Sequence, residues 1–285
     1  MAPMSDRADR NSFDPLASAR YAAASMAGGA QATFSYALSG VSAPMNRVVL
    51  EDAISWLRTL DSGSVDLIVT DPAYESLEKH RARGTTTRLK RSKASSNDWF
   101  QIFPNTRFPE LFAEAYRVLA NHRHFYLFCD QETMFVAKPM AEAAGFRFWK
   151  PLVWDKQRIG MGYHYRSRYE FILFFEKGKR KLNDLGVPDV LEHPRVHRGY
   201  PAEKPTAVSS VLIRQSSEAG ELVIDPFSGS GSVGVAAVEQ GRRFLGSDIC
   251  EQAVAIANTR LAAAENGAAG VPEPASLDQE PDPEG

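Results

Sequence analysis

The sequence predicts an α/β fold, a mainly parallel central sheet with helices on both faces, and three observations carry that prediction. Short β-rich runs at Val65 to Thr70, His124 to Cys129 and Glu221 to Ile224 alternate with stretches of helical pattern. Two of the runs stop at an Asp-Pro pair, Asp71-Pro72 and Asp225-Pro226, and the second pair leads into a glycine-rich loop. The 285 residues are 44% hydrophobic and 24% charged, a balance that supports one sizeable core. Strands and helices that alternate in this way imply an open parallel sheet.

Taken in order, residues 1–45 are rich in Ala, Ser and Gly without sustained period and read as a mobile tail. Asp6, Asp9 and Asp14 argue against an organelle-targeting peptide there. The folded domain is expected over 46–265, and the Pro- and Glu-rich segment 266–285 reads as a disordered acidic tail. Helical patterns cover 53–60, 107–119, 132–144, 205–215, 233–240 and 251–263. The run Phe171 to Phe175 suits a core strand, and Arg243 to Gly246 a further one. No run approaches the roughly 18 apolar residues of a membrane span. The two cysteines, Cys129 and Cys250, supply neither a disulfide framework nor a metal-ligand spacing, so a reducing cytoplasm and no metal are expected.

In open parallel sheets, ligands bind beyond the carboxyl ends of the strands. Gly229-Ser230-Gly231-Ser232-Val233-Gly234 fits Gly-x-Gly-x-x-Gly, and Asp248 follows about 20 residues on, as in nucleotide sites where an acid takes two ribose hydroxyls. No Gly-Lys-Ser/Thr follows the loop, which excludes a Walker NTPase. Asp225 stands where a dinucleotide site presents pyrophosphate to a helix N-terminus. Its carboxylate would repel a diphosphate and attract the ammonium of S-adenosylmethionine, which also offers a ribose for Asp248. A nicotinamide or flavin dinucleotide is the alternative ligand.

The other strand end carries Asp71-Pro72-Ala73-Tyr74. The lone pair of an exocyclic amine on adenine or cytosine is delocalised into the ring, so the nitrogen attacks only when that pair is localised. Fixed acceptors for both amino hydrogens do this, and the Asp71 carboxylate and Pro72 carbonyl are such acceptors. Tyr74 offers a ring on which the base can stack. A base inside a duplex cannot reach such a pocket and must be flipped out.

Asp71-Pro72-Ala73-Tyr74 resembles the Asp-Pro-Pro-Tyr motif of the DNA amino-methyltransferases, and Asp225-Pro226-Phe227-Ser228-Gly229-Ser230-Gly231 resembles their cofactor motif. Catalytic motif first and glycine loop late is similar to the circularly permuted β class of that family. Tyr200-Pro201-Ala202-Glu203-Lys204-Pro205 resembles its His-Pro-Thr-Gln-Lys-Pro segment, and the likeness runs from about Asn46 to Leu261, departing at Ala73 and Tyr200. It implies a Rossmann-like methyltransferase that passes a methyl group directly from S-adenosylmethionine to an amino nitrogen of DNA. Phe227, Gly229, Gly231, Lys204 and Pro205 join Asp225 and Asp248 as cofactor-binding candidates. Leu50 to Ile54 matches a segment bordering the adenosyl pocket, which makes Asp52 either a contact to the cofactor adenine or a helix N-cap. Family members that begin this motif with aspartate act mostly on adenine N6, whereas N4-cytosine enzymes more often begin with serine. Carbon-5 methylation needs a cysteine nucleophile, usually after proline, and here Cys129 follows Phe128 and Cys250 follows Ile249. An RNA or protein amino-methyltransferase and an inactive DNA-binding module remain as other readings, and a partner endonuclease and a dimer stay open.

Formal net charge is only −2, yet cations cluster locally. Lys79, Arg81, Arg83, Arg88, Lys90, Arg91 and Lys93 leave directly from the catalytic tetrapeptide, and Lys156, Arg158, Arg166 and Arg168 are interleaved with glycines and aromatics around His164. These are the candidate DNA contacts, in insertions expected near 75–98 and 155–200. Neutralising Lys79, Arg81, Arg88 and Lys90 together is predicted to weaken DNA binding and flatten its dependence on salt, because fewer counterions are released. An unaltered slope of log affinity against log salt would make the run a solvated face.

Overall fold

A computed structural model describes the protein over residues 46–76, 101–160, 164–196 and 203–267. The expected N-terminal tail, the expected C-terminal tail beyond Gly267 and the cationic run from Lys79 to Lys93 lie outside the described residues, as does Tyr200. In chain order the elements are β1 (Arg47–Leu50), α1 (Ala53–Thr59), β2 (Val65–Thr70), α2 (Phe108–Val118), β3 (Leu119–Cys129), α3 (Gln131–Ala143), β4 (Arg147–Asp155) and β5 (Tyr169–Lys177). There follow β6 (Val190–Glu192), α4 (Thr206–Ser216), β7 (Leu222–Asp225), α5 (Ser232–Glu239), β8 (Arg243–Asp248) and α6 (Glu251–Glu265). No helix among them is long and apolar enough to cross a membrane.

The strands form one sheet in the order β1-β8-β7-β2-β3-β5-β4-β6. From β1 to β3 every neighbour is parallel; β5 then runs antiparallel to both β3 and β4. Side chains alternate across β2. Ile68 packs with α1 and α2 through Leu57 and Phe112, whereas Leu67 and Val69 pack with α4 and α5 through Leu212 and Ala236. Three helices therefore cover each face, α1 to α3 on one and α4 to α6 on the other. Both faces of the parallel half are buried, which is why its strands read as near-continuous apolar runs.

The helical stretches lie within a few residues of their expected limits, and β2 matches its run. The interval 155–200 differs: it holds β5 and β6, and among the described residues 156–160, 164–168, 178–189 and 193–196 lie outside the strands there. β4 was not legible because its sequence, RFWKPLVWD, mixes Lys150 and Pro151 into the apolar residues, and only Trp154 in it is buried.

Helix α5 lies close on β8 because Gly234 has no side chain. A Cβ there would stand 2.6 Å from the buried Phe244 ring and 2.9 Å from a Leu261 methyl. Gly234→Ala is thus predicted to cost about 1–3 kcal/mol, the usual range for overpacking, read as a lowered denaturant midpoint. An unchanged midpoint would show that the contact relaxes freely.

Candidate active site

The parallel pairing of β2 with β7 sets the two Asp-Pro turns side by side at the carboxyl ends of the strands. Asp225 closes β7 and is 2% exposed. Its Oδ1 accepts from Thr70 Oγ1 on β2 at 2.6 Å and from the Phe227 amide at 2.9 Å. Burial pushes its carboxyl up to about 7, against those two hydrogen bonds and with help from the Asp71 and Asp248 charges. Beyond it the chain turns through Gly229 and Gly231, with φ of 50° and 79°, which only glycine adopts without strain. Asp248, at the end of β8, clamps this loop: Oδ2 accepts from the Gly229 amide at 2.8 Å and Oδ1 from the Cys250 amide at 2.9 Å. Burial raises its carboxyl too, opposed by these amides.

Asp71 follows β2 and is gripped from two sides. The Tyr74 hydroxyl donates to its Oδ1, and the Lys204 ammonium stands 2.5 Å from its Oδ2. Tyr74 is 6% exposed and packs in the core with Phe103 and Phe108, so its hydroxyl serves Asp71 and little of its ring face is open. Lys204 reaches on to Glu170 Oε2 at 3.1 Å. Burial would lower the Lys204 ammonium, but Asp71 and Glu170 overcome this and raise it above its ordinary value.

Both groups of residues open onto one cleft of ≈ 360 Å³. Its lining includes Asp71, Pro72 and Tyr74 together with Asp225, Phe227, Gly229, Asp248, Asp52 and Lys204. Gly231 and Pro205 are not in that lining; they precede α5 and α4 as helix caps. Residues 65–259 match the DNA methylase family that takes in N6 and N4 methyltransferases. The chain belongs to this family.

Relatives of the methylase include the DNA adenine methyltransferase YhdJ of Escherichia coli, 26% identical over 75% of this chain and 82% of YhdJ. Among solved structures, the modification methylase TTHA0409 of Thermus thermophilus, complexed with S-adenosyl-L-methionine, is 21% identical with a TM-score of 0.58, over 78% of this chain and 95% of that one. The PvuII cytosine-N4-specific DNA methyltransferase has a TM-score of 0.59 at 15% identity, over 76% and 88% of the two chains. These two share the fold.

Other parts of the methylase cleft were not foreseen from sequence. Phe103 and Phe227 meet edge to face with centroids 4.9 Å apart, and Arg107 lies over Phe103 at 5.2 Å. Arg107 also grips Asp52 with two bonds of 2.8 Å, which holds the Asp52 carboxyl below its ordinary range. Asp52 caps α1 as well, accepting from Ile54 and Ser55 at 3.2 Å. No motif marks Phe103 or Arg107; they enter the cleft because Phe103 bridges to Tyr74. Glu170 did leave a trace, an acid beside the apolar run Phe171 to Phe175.

The cleft wall holds six carboxylates, Glu51, Asp52, Asp71, Glu203, Asp225 and Asp248, against two cations, Arg107 and Lys204. Both cations are already ion-paired. Such a wall suits a cationic ligand and opposes a diphosphate. The other DNA candidates sit outside it, on the connection between β4 and β5. Arg158 and Arg166 are exposed, with Arg166 Nε donating to the Gly160 carbonyl at 2.6 Å. Arg168 is held by both oxygens of Asp155 at 2.7 Å, so a phosphate would have to compete for its guanidinium.

A raised Asp225 carboxyl means that the folded state holds this proton more tightly than the unfolded chain. Its contribution to stability is therefore present below the ordinary carboxylate range and is lost as pH rises toward about 7. Asp225→Asn should retain more stability between pH 5 and about 8 than wild type does. Parallel pH profiles for the two proteins would contradict this assignment.

Proposed function

We propose that the protein transfers a methyl group from S-adenosylmethionine to the N6 amino group of a flipped adenine in DNA. The observation that carries this reading is the meeting of Asp71-Pro72 and the Asp225 to Ser230 loop in one acid-walled cleft, from strands about 150 residues apart in sequence. The acid wall fits a sulfonium cofactor and disfavours the dinucleotide alternative. Asp248 keeps a second lone pair on each oxygen for ribose hydroxyls. Asp225 becomes a partner for the methionine ammonium when it gives up its proton. Phe227 and Asp52 border the adenosyl end. When bound, the cofactor supplies an electrophilic methyl group on sulfur.

The remaining chemistry belongs to the chain. The Asp71 carboxylate and the Pro72 carbonyl accept the two amino hydrogens of the target and bring its lone pair out of conjugation. Tyr74 and Lys204 hold the carboxylate in place while it does so. An ionised acceptor suits an amine that gains positive charge. Aspartate at position 71 and the adenine methyltransferase YhdJ both favour adenine; the PvuII enzyme shares only the fold.

Mass spectrometry of nucleosides from DNA of an expressing host tests the product. N6-methyladenine is expected. N4-methylcytosine alone would overturn the choice of base. DNA binding with neither product would point to an inactive binding module.

A further inference from the structure

Glu170 and Lys156 have no part in the chemistry so far, yet they extend the grip on Asp71 beyond Lys204. Glu170 is the second residue of β5, and its side chain is 22% exposed, where an unpaired carboxylate would be costly. Its Oε1 lies 2.6 Å from Lys156 Nζ, and its Oε2 lies 3.1 Å from Lys204 Nζ. Burial alone would raise the Glu170 carboxyl; Lys204 and Lys156 override it and hold it at about 2. The four side chains form a ladder of alternating sign, Lys156, Glu170, Lys204 and Asp71, that ends at the cleft.

We propose that Glu170 is a positioning residue for methyl transfer: by fixing the Lys204 ammonium that grips Asp71 it sets where the Asp71 carboxylate stands when the target amine arrives. This rests on the reading that Asp71 receives that amine. The ammonium stands closer to Asp71, at 2.5 Å, than to Glu170, at 3.1 Å, so Glu170 steadies a lysine whose main partner is Asp71, and Lys156 balances Glu170. Lys204 then acts through Asp71 and not as a cofactor ligand. Its ammonium is already ion-paired with two carboxylates.

The test uses the full chain, S-adenosylmethionine and a DNA that the wild type methylates, with Glu170→Gln, Glu170→Asp, Lys204→Met and the Glu170→Gln/Lys204→Met double variant. Single-turnover rates are measured beside cofactor affinity by calorimetry. Glu170→Gln is expected to slow transfer about 10- to 100-fold, as a misplaced reacting group does, with cofactor affinity kept within about twofold. In the Lys204→Met background, Glu170→Gln should change the rate no further. Glu170→Asp keeps the charge and should recover part of the rate, and it reads the same role should the Gln variant fail to fold. A wild-type rate in Glu170→Gln, independent multiplying losses in the double variant, or a loss due wholly to cofactor affinity would each overturn the proposal. Absence of transfer by the wild type on any DNA would strike the proposed function itself and this inference with it.

Discussion

Parallel pairing of Val65–Thr70 with Leu222–Asp225 is the constraint on which the rest of the molecule depends. Each strand runs into Asp-Pro, and proline, which has no amide hydrogen, ends the ladder and turns the chain out, with Asp71 two residues farther along the register than Asp225. The hydrogen bond from Thr70 to Asp225 ties the two ends together below the cleft. Helices on both faces keep the strands dry, so the polar atoms of the site lie at the strand ends.

That arrangement concentrates negative charge, and the chain manages it by position. Asp225 is buried, with its carboxyl pushed up by that burial, Asp248 clamps the loop amides, Asp52 is held by Arg107, and Asp71 is held by Lys204. A buried carboxylate without such partners would be neutral or destabilising. The same charges give the DNA methylase a cleft that prefers a cation, while Arg158, Arg166 and Arg168 stand outside it.

Much of this was legible from the chain alone, for identifiable reasons. Buried parallel strands such as Val65–Thr70 are continuous apolar runs, and the two Asp-Pro turns and the glycine loop are local in sequence, so residue type and spacing carried them. Asp52 could be read as a cap or a ligand because both uses need the same acid; it caps α1, pairs with Arg107 and borders the cleft. What was not legible depends on pairing at a distance. β4 is a mostly unburied strand with Lys150 and Pro151 among its apolar residues, and it is held in the sheet by pairing with β5. Arg107, Phe103 and Glu170 acquire their places from Asp52, Tyr74 and Lys204, partners far away in sequence, and no spacing rule reaches that far. Tyr74 suggested a stacking surface by its type; it lines the cleft, and its hydroxyl donates to Asp71, a contact that residue type alone did not mark.

The central claim is that the carboxylate closing the Val65–Thr70 strand end receives the amine that is methylated. Transfer of a labelled methyl group from S-adenosylmethionine to DNA in a single turnover, compared between wild type and Asp71→Ala at saturating cofactor, tests it most directly. The account predicts transfer by the wild type and none detectable by Asp71→Ala, with cofactor affinity retained in both. Transfer by Asp71→Ala at the wild-type rate would contradict it.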